Sequence, residues 1–165
     1  MNKDYSILFQ KSVDERAMDL QDDFGFVCTL IEEGDYETKE LEKNEWADEH
    51  GEDVYIPPTM RFNGFELKLG VVYTGAINTH NTKLTALLAY LTGIDGALDS
   101  EGIKLYSERL HRGYAKVYLK SVTERSLYKT ETDECLECVV TLQVADPVAI
   151  VNAVTADSGV TYNLN

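Results

Sequence analysis

Two of the three cysteines, Cys135 and Cys138, stand three residues apart. That C-x-x-C spacing serves redox chemistry in some proteins and supplies half of a zinc site in others. Tetrahedral zinc would need two further Cys or His ligands at suitable spacing, and the sequence holds no second C-x-x-C and no H-x-x-x-H. The residues around the pair argue for a strand instead. Leu136, Cys138, Val140, Leu142 and Val144 alternate with Cys135, Glu137, Val139, Thr141 and Gln143, and Pro147 stops the run because it has no backbone N–H. Residues three apart on a strand point to opposite faces, so Cys138 should face inward and Cys135 outward. A buried thiol acting as a small hydrophobe is the expected role of Cys138, and with an odd number of cysteines, reduced thiols are the simpler expectation.

Other reactive side chains form no recognisable constellation. His50, His80 and His111 are isolated, and the sequence has no G-x-S-x-G, no Walker loop and no G-x-G-x-x-G. Glu137 or the acids near Asp53 have the chemistry of a general acid and base, but such pairs are defined by geometry. "EWADEHGEDVY" is rich in carboxylates without the regular ligand spacing of an EF-hand loop. No catalytic residue, cofactor or metal is expected, and the chain reads as a non-enzyme.

The 165 residues are 44% hydrophobic and 27% charged, enough to bury the core of one domain. No signal-peptide pattern and no apolar run of membrane-spanning length is seen, which gives the expectation of a soluble, cytoplasmic protein without membrane contact. Net charge is −14, and residues 14–53 account for nearly all of it: 16 Asp or Glu against Arg16, Lys39 and Lys43. A surface of that sign repels phosphate, so stable nucleic-acid binding is not expected.

The elements that must position these residues follow from periodicity. "YSILF" (5–9) and 24–31 read as strands, and "KSVDERAMDLQDD" as a turn or two of helix with Val13, Ala17 and Leu20 on one face. Residues 39–58 are mostly polar and charged, with Trp46, Tyr55 and Ile56 as the large apolar groups of note, and read as a long mobile loop, which is unusual in a compact domain. Its Trp46 either covers the protein's own core or belongs to an arm that orders against a neighbouring subunit. Phe65, Leu67, Leu69, Val71 and Tyr73 line one face of a strand. Leu84, Leu87, Leu88 and Leu91 recur at helical spacing, with Asn81 or Thr82 as N-cap and Gly93 as the stop. Two further strands, 103–110 and 113–129, meet at Gly113, with Tyr114, Lys116, Tyr118 and Lys120 on an exposed face. "GVTYNL" near the end is a possible last strand that pairs with a sheet edge of this molecule or of the next. The expected fold class is α+β: a mostly antiparallel β-sandwich or split barrel with one covering helix at about 81–92. It forms a single domain over 1–165, with its core at about 20–150, an acidic loop at about 39–58 and a tail at 148–165.

In this order, "MRFNGFELKLGVVYTG", a Leu-rich helix, "IKLYSERLHRGYAKVYLKSVTERSLYK" and "ECLECVVTLQVADPVAI" resemble the N-terminal domain of the distal tail proteins of long-tailed phages over about residues 20–150. The resemblance implies the fold of tail-tube and type VI secretion tube proteins. It also implies a homohexameric ring that joins the tail tube to the baseplate hub, assembled in the host cytoplasm and carried in the virion tail. Many members add a C-terminal carbohydrate-binding-like domain, for which this chain has no room. In a tube that passes DNA, acidic side chains would keep the lumen from binding phosphate. Trp46, Tyr55, Ile56, Tyr114 and Tyr118 are the expected assembly surface. The competing readings are a small acidic enzyme or metal-dependent protein, and an acidic DNA mimic that occupies a DNA-binding partner.

Overall fold

A computed structural model describes residues 6–12, 14–48, 50–99, 101–155 and 162–165. The strands are β1 (Ile7–Gln10), β2 (Met18–Asp19), β3 (Phe26–Glu33), β4 (Lys43–Asn44), β5 (Asp53–Val54) and β6 (Phe65–Ala76), and α1 (His80–Thr92), the one helix among the described residues, follows. After it come β7 (Ile103–Ser107), β8 (Arg112–Lys129), β9 (Asp133–Val144), β10 (Ile150–Val151), β11 (Ala153–Thr155) and β12 (Tyr162–Leu164). Eight of these strands make one open antiparallel sheet in the order β2-β1-β7-β8-β9-β6-β3, with β10 also paired to β8. The α+β class with one covering helix is therefore as expected, and the sheet does not close into a barrel.

The alternation in β6 and β9 positions the core. Phe65, Leu67, Leu69, Val71 and Tyr73 from β6 and Leu136, Cys138, Val140, Leu142 and Val144 from β9 are all buried on one face. Each such side chain contributes roughly 1.5–3 kcal/mol on burial, which fixes the register, because a slip of one residue would turn every one of them to water. Leu84, Leu87, Tyr90 and Leu91 bring α1 down on that face, while Leu88 is only partly buried. Gly93 ends the helix in the left-handed region (φ 76°), its N–H bonded to the Ala89 carbonyl. Cys28 and Cys138 are buried and Cys135 is half-buried, all as free thiols. The strand reading of the C-x-x-C segment holds.

Several expectations need correcting. Residues 14–24 form turns around β2 where a helix was expected, because Met18 and Asp19 pair with Phe9 and Leu8 of β1 and the turn that Asp19 and Asp23 then cap ends at Gly25 in the left-handed region (φ 80°); Val13 lies outside the described residues. The helix N-cap is Thr79, ahead of Asn81 and Thr82. The core begins before residue 20, since Ile7 and Phe9 of β1 are buried in it. Strands β7 and β8 are joined by a turn at 108–111, and Gly113 sits within β8, where a Cβ would come 2.4 Å from the Leu105 carbonyl oxygen. The last strand expected in "GVTYNL" is seen in part, as β12 pairs antiparallel with β11 of this molecule and Leu164 packs in a second cluster with Leu8, Ala17, Tyr106 and Val151; residues 159–161 lie outside the described residues.

Candidate assembly surface

The region expected as a mobile loop is an arm of two chain segments held together by backbone hydrogen bonds. From the ends of β3 and β6, Gly34 donates to Glu66 (2.8 Å), Asn63 to Glu37 (2.8 Å), Lys39 to Arg61 (2.7 Å) and Tyr55 to Glu42 (3.1 Å), and β4 pairs with β5 beyond. Ten steps along the chain, from Gly34 to Asn44, at an extended rise give a reach of roughly 30 Å. The arm shows no apolar alternation because both of its faces meet water.

The base of the arm is fixed to the core. Tyr114 is fully buried (0% exposed) and its hydroxyl donates to the Glu33 carboxylate, with the Tyr36 hydroxyl 3.4 Å away. Arg112 Nη1 donates to Tyr36 Oη at 2.9 Å. Around these polar contacts the rings pack edge-on or tilted: Tyr36 with Phe62 (5.7 Å between centroids) and Phe65 (5.3 Å), and Phe65 with Tyr114 (5.4 Å). Burial, together with the bonds to Glu33 and Tyr36, raises the Tyr114 pKa far above that of an ordinary phenol. Tyr114 thus belongs to a latch at the root of the arm, although alternation had placed it on the exposed face. A bulge is the cause: Leu105 pairs with Tyr114 but Ile103 with Val117, so β8 carries one extra residue and both Tyr114 and Val117 turn inward.

The other four expected assembly residues are exposed. On the arm, Trp46 is 58%, Tyr55 66% and Ile56 67% accessible, so Trp46 does not cover the chain's own core. Tyr118, on β8, is 51% accessible.

One polar site was missed. Glu134, on the inward parity of β9, has a fully buried side chain whose Oε1 accepts from the backbone N–H groups of Thr79 (2.8 Å) and His80 (2.7 Å) and meets His80 Nδ1 at 2.8 Å. It replaces a local N-cap, since Thr79 makes no side-chain capping bond, and its charge lies at the positive end of the helix dipole. Burial pushes its pKa up, but the hydrogen bonds from His80, Asn78 and Thr79 outweigh this and bring it down to about 2. Its Oε2 is buried without a hydrogen bond, 3.7 Å from Lys129 Nζ. The signal in the sequence was parity: Glu134 falls in step with Leu136 and Cys138. Its partners all belong to the helix start and β8, which marks a structural cap. Among the described residues no cluster of three or more His, Cys, Asp or Glu could hold a metal ion, and no helix is long and apolar enough to cross a membrane.

No protein-family model matches the sequence, and no curated protein does either. The fold is nevertheless similar to that of part of a phage tail hub protein. One solved structure that it is similar to is that of SPP1 Dit, described as a paradigm of the hub adsorption apparatus in phages infecting Gram-positive bacteria. The match has a TM-score of 0.54 at 15% identity and covers 92% of this chain and 54% of that one. The chain thus spans about half the length of that protein, and the resemblance to the distal tail proteins read from the sequence is one of fold.

Proposed function

We propose that this chain is a non-enzymatic structural subunit of a phage or prophage tail, of the distal tail type. It forms a homohexameric ring that connects the tail tube with the baseplate hub. The observation that carries the reading is the fold shared with SPP1 Dit over 92% of the chain. The arm supports it: a two-stranded projection with a fixed root and exposed Trp46, Tyr55 and Ile56 presents anchors that a neighbouring subunit can cover, with Tyr118 as a further contact. Its partners are further copies of itself and the tail tube and hub proteins, met in the host cytoplasm during assembly and retained in the virion tail. The net charge of −14 disfavours a lasting grip on DNA.

Light scattering over a wide concentration range, with and without chelator, tests the reading. A hexamer, or a mass that climbs toward one with concentration, is the expected result. A chain that stays monomeric at every concentration overturns the self-assembling ring, and one that loses structure with chelator turns the reading to a metal-dependent protein.

A further inference from the structure

The charges of this chain are segregated. Residues 32–63, which run from the end of β3 through the arm, carry 11 acidic side chains against Lys39, Lys43 and Arg61, a balance of −8. Residues 104–129, which run from β7 to the end of β8, carry seven Lys or Arg against Glu108 and Glu124, a balance of +5. In one chain these surfaces meet at the arm's root, where Glu33 and Tyr36 contact Tyr114 and Arg112. Farther out, the ion pairs among the described residues keep them apart. Lys43 holds Glu52 at 3.0 Å and Glu45 at 4.0 Å within the arm, while Lys116, Lys120 and Lys129 pair with Glu101, Glu66 and Glu134. Counting Glu66, Glu101 and Glu134 with the basic segment still leaves +2. The pairs of Lys116 and Lys120 are solvent-exposed on both sides, so water screens them and they exchange readily for other carboxylates. Lys116, Tyr118 and Lys120 follow at every second residue of β8, which puts an exposed ring between two cations.

We propose that the acidic arm of one subunit docks across β8 of a second copy of this chain. Its carboxylates meet Lys116 and Lys120, and its exposed aromatic and aliphatic side chains pack on Tyr118. This rests on the ring reading above and adds which two surfaces meet. The occupant is a second copy because one chain carries both signs on separate patches, so each subunit gives an arm and receives one. Contacts of this head-to-tail kind close into a ring when the rotation permits. Opposite charge steers the encounter and sets its register, which makes assembly sensitive to salt.

Sedimentation velocity tests the pairing on four proteins: wild type, an arm variant (Glu40→Lys with Glu42→Lys), a strand variant (Lys116→Glu with Lys120→Glu), and the variant with all four changes. Each is run in low and in high salt, and thermal unfolding checks that it is folded. Gln at the same positions repeats the test if a reversed charge prevents folding. Each double variant should weaken assembly about tenfold or more, the four-fold variant should recover most of the loss, and raising salt from about 50 to about 500 mM should weaken wild type about tenfold. Assembly of wild type that ignores both salt and charge reversal overturns the inference and leaves the ring standing. Loss in the double variants without recovery in the four-fold variant overturns the pairing of these two surfaces. A wild type that is monomeric throughout overturns both the ring and the inference.

Discussion

Tyr114→Phe isolates the latch at the root of the arm. The substitution keeps the buried ring and its packing on Phe65 while removing the hydroxyl that donates to Glu33 and lies beside Tyr36. A hydrogen bond to a charged group contributes about 1.5–3 kcal/mol. Glu33 is itself exposed and regains water when the hydroxyl goes, so the expected loss is at the lower end, about 1–2 kcal/mol. For a chain of this length each kcal/mol moves the midpoint by roughly 2–4 °C, so thermal unfolding followed by circular dichroism should show a fall of about 2–8 °C. The pH dependence has a definite sign. Tyr114 has a raised pKa in the folded state, so its contribution is complete below the phenol's unfolded value of about 10 and is lost as pH rises beyond it. Tyr90, raised to about 12 by burial, adds to the same alkaline loss, and the difference between wild type and Tyr114→Phe separates the two. Trypsin provides a second readout, since Lys39, Lys43 and Arg61 lie on the arm and should be cut faster once the root loosens. A variant as stable as wild type, with unchanged cleavage and the same alkaline profile, would refute the latch.

Glu134→Gln should weaken the start of α1, with its effect greatest near neutral pH. The depressed pKa of about 2 means that the carboxylate's contribution is present above the unfolded value of about 4.3 and is lost as pH falls toward 2, so acid titrations of the two proteins should converge at low pH. Gly113→Ala should fail to fold or unfold at much lower temperature, because the added methyl would meet the Leu105 carbonyl oxygen at 2.4 Å and Val151 Cγ2 at 2.6 Å; normal yield and melting would contradict the packing at β7, β8 and β10. A maleimide probe at neutral pH should modify Cys135 well before Cys28 and Cys138, as both of those are buried and burial raises their pKa, that of Cys28 to about 11. Equal labelling of the three thiols in the native protein would mean that the inward and outward parity of β9 is wrong.

What the sequence revealed of this fold depended on whether one face of an element was dry. In β6 and β9 every second residue is buried, so a period of two was visible and carried even the orientation of Cys135 and Cys138. In α1 the spacing of Leu84, Leu87 and Leu91 did the same at a period near 3.6. Where that condition failed, so did the reading. The arm is wet on both faces, leaves no hydrophobic pattern and looks like a loop, although its backbone is paired. Strand β8 has pairing irregularities against both neighbours, between Leu119 and Ser121 and between Thr123 and Ser126 opposite β9, and near Tyr114 opposite β7. Each extra residue reverses the parity beyond it, which is why Tyr114 was assigned to the surface while Tyr118 was placed correctly. Glu134 shows the opposite error: its parity was right, and its charge concealed a buried role that only the helix start, 54 residues earlier, explains.

The same distinction bears on where specificity of assembly can reside. A buried alternating strand has little freedom to vary without loss of the core, so the face of β6 and β9 under α1 is committed to folding. The arm and the outer side of β8 carry no such constraint, and on them the chain has placed its charge segregation together with Trp46, Tyr55, Ile56 and Tyr118. A latch built from a fully buried tyrosine hydroxyl joins the two regions, fixing the direction of a surface element through the core. A rooted arm loses less conformational entropy on docking than a free loop of equal length, since part of its ordering is complete before the partner arrives. Tyr114→Phe should therefore weaken assembly as well as folding, and by more than a substitution of equal cost to stability placed beneath α1, such as Leu87→Val.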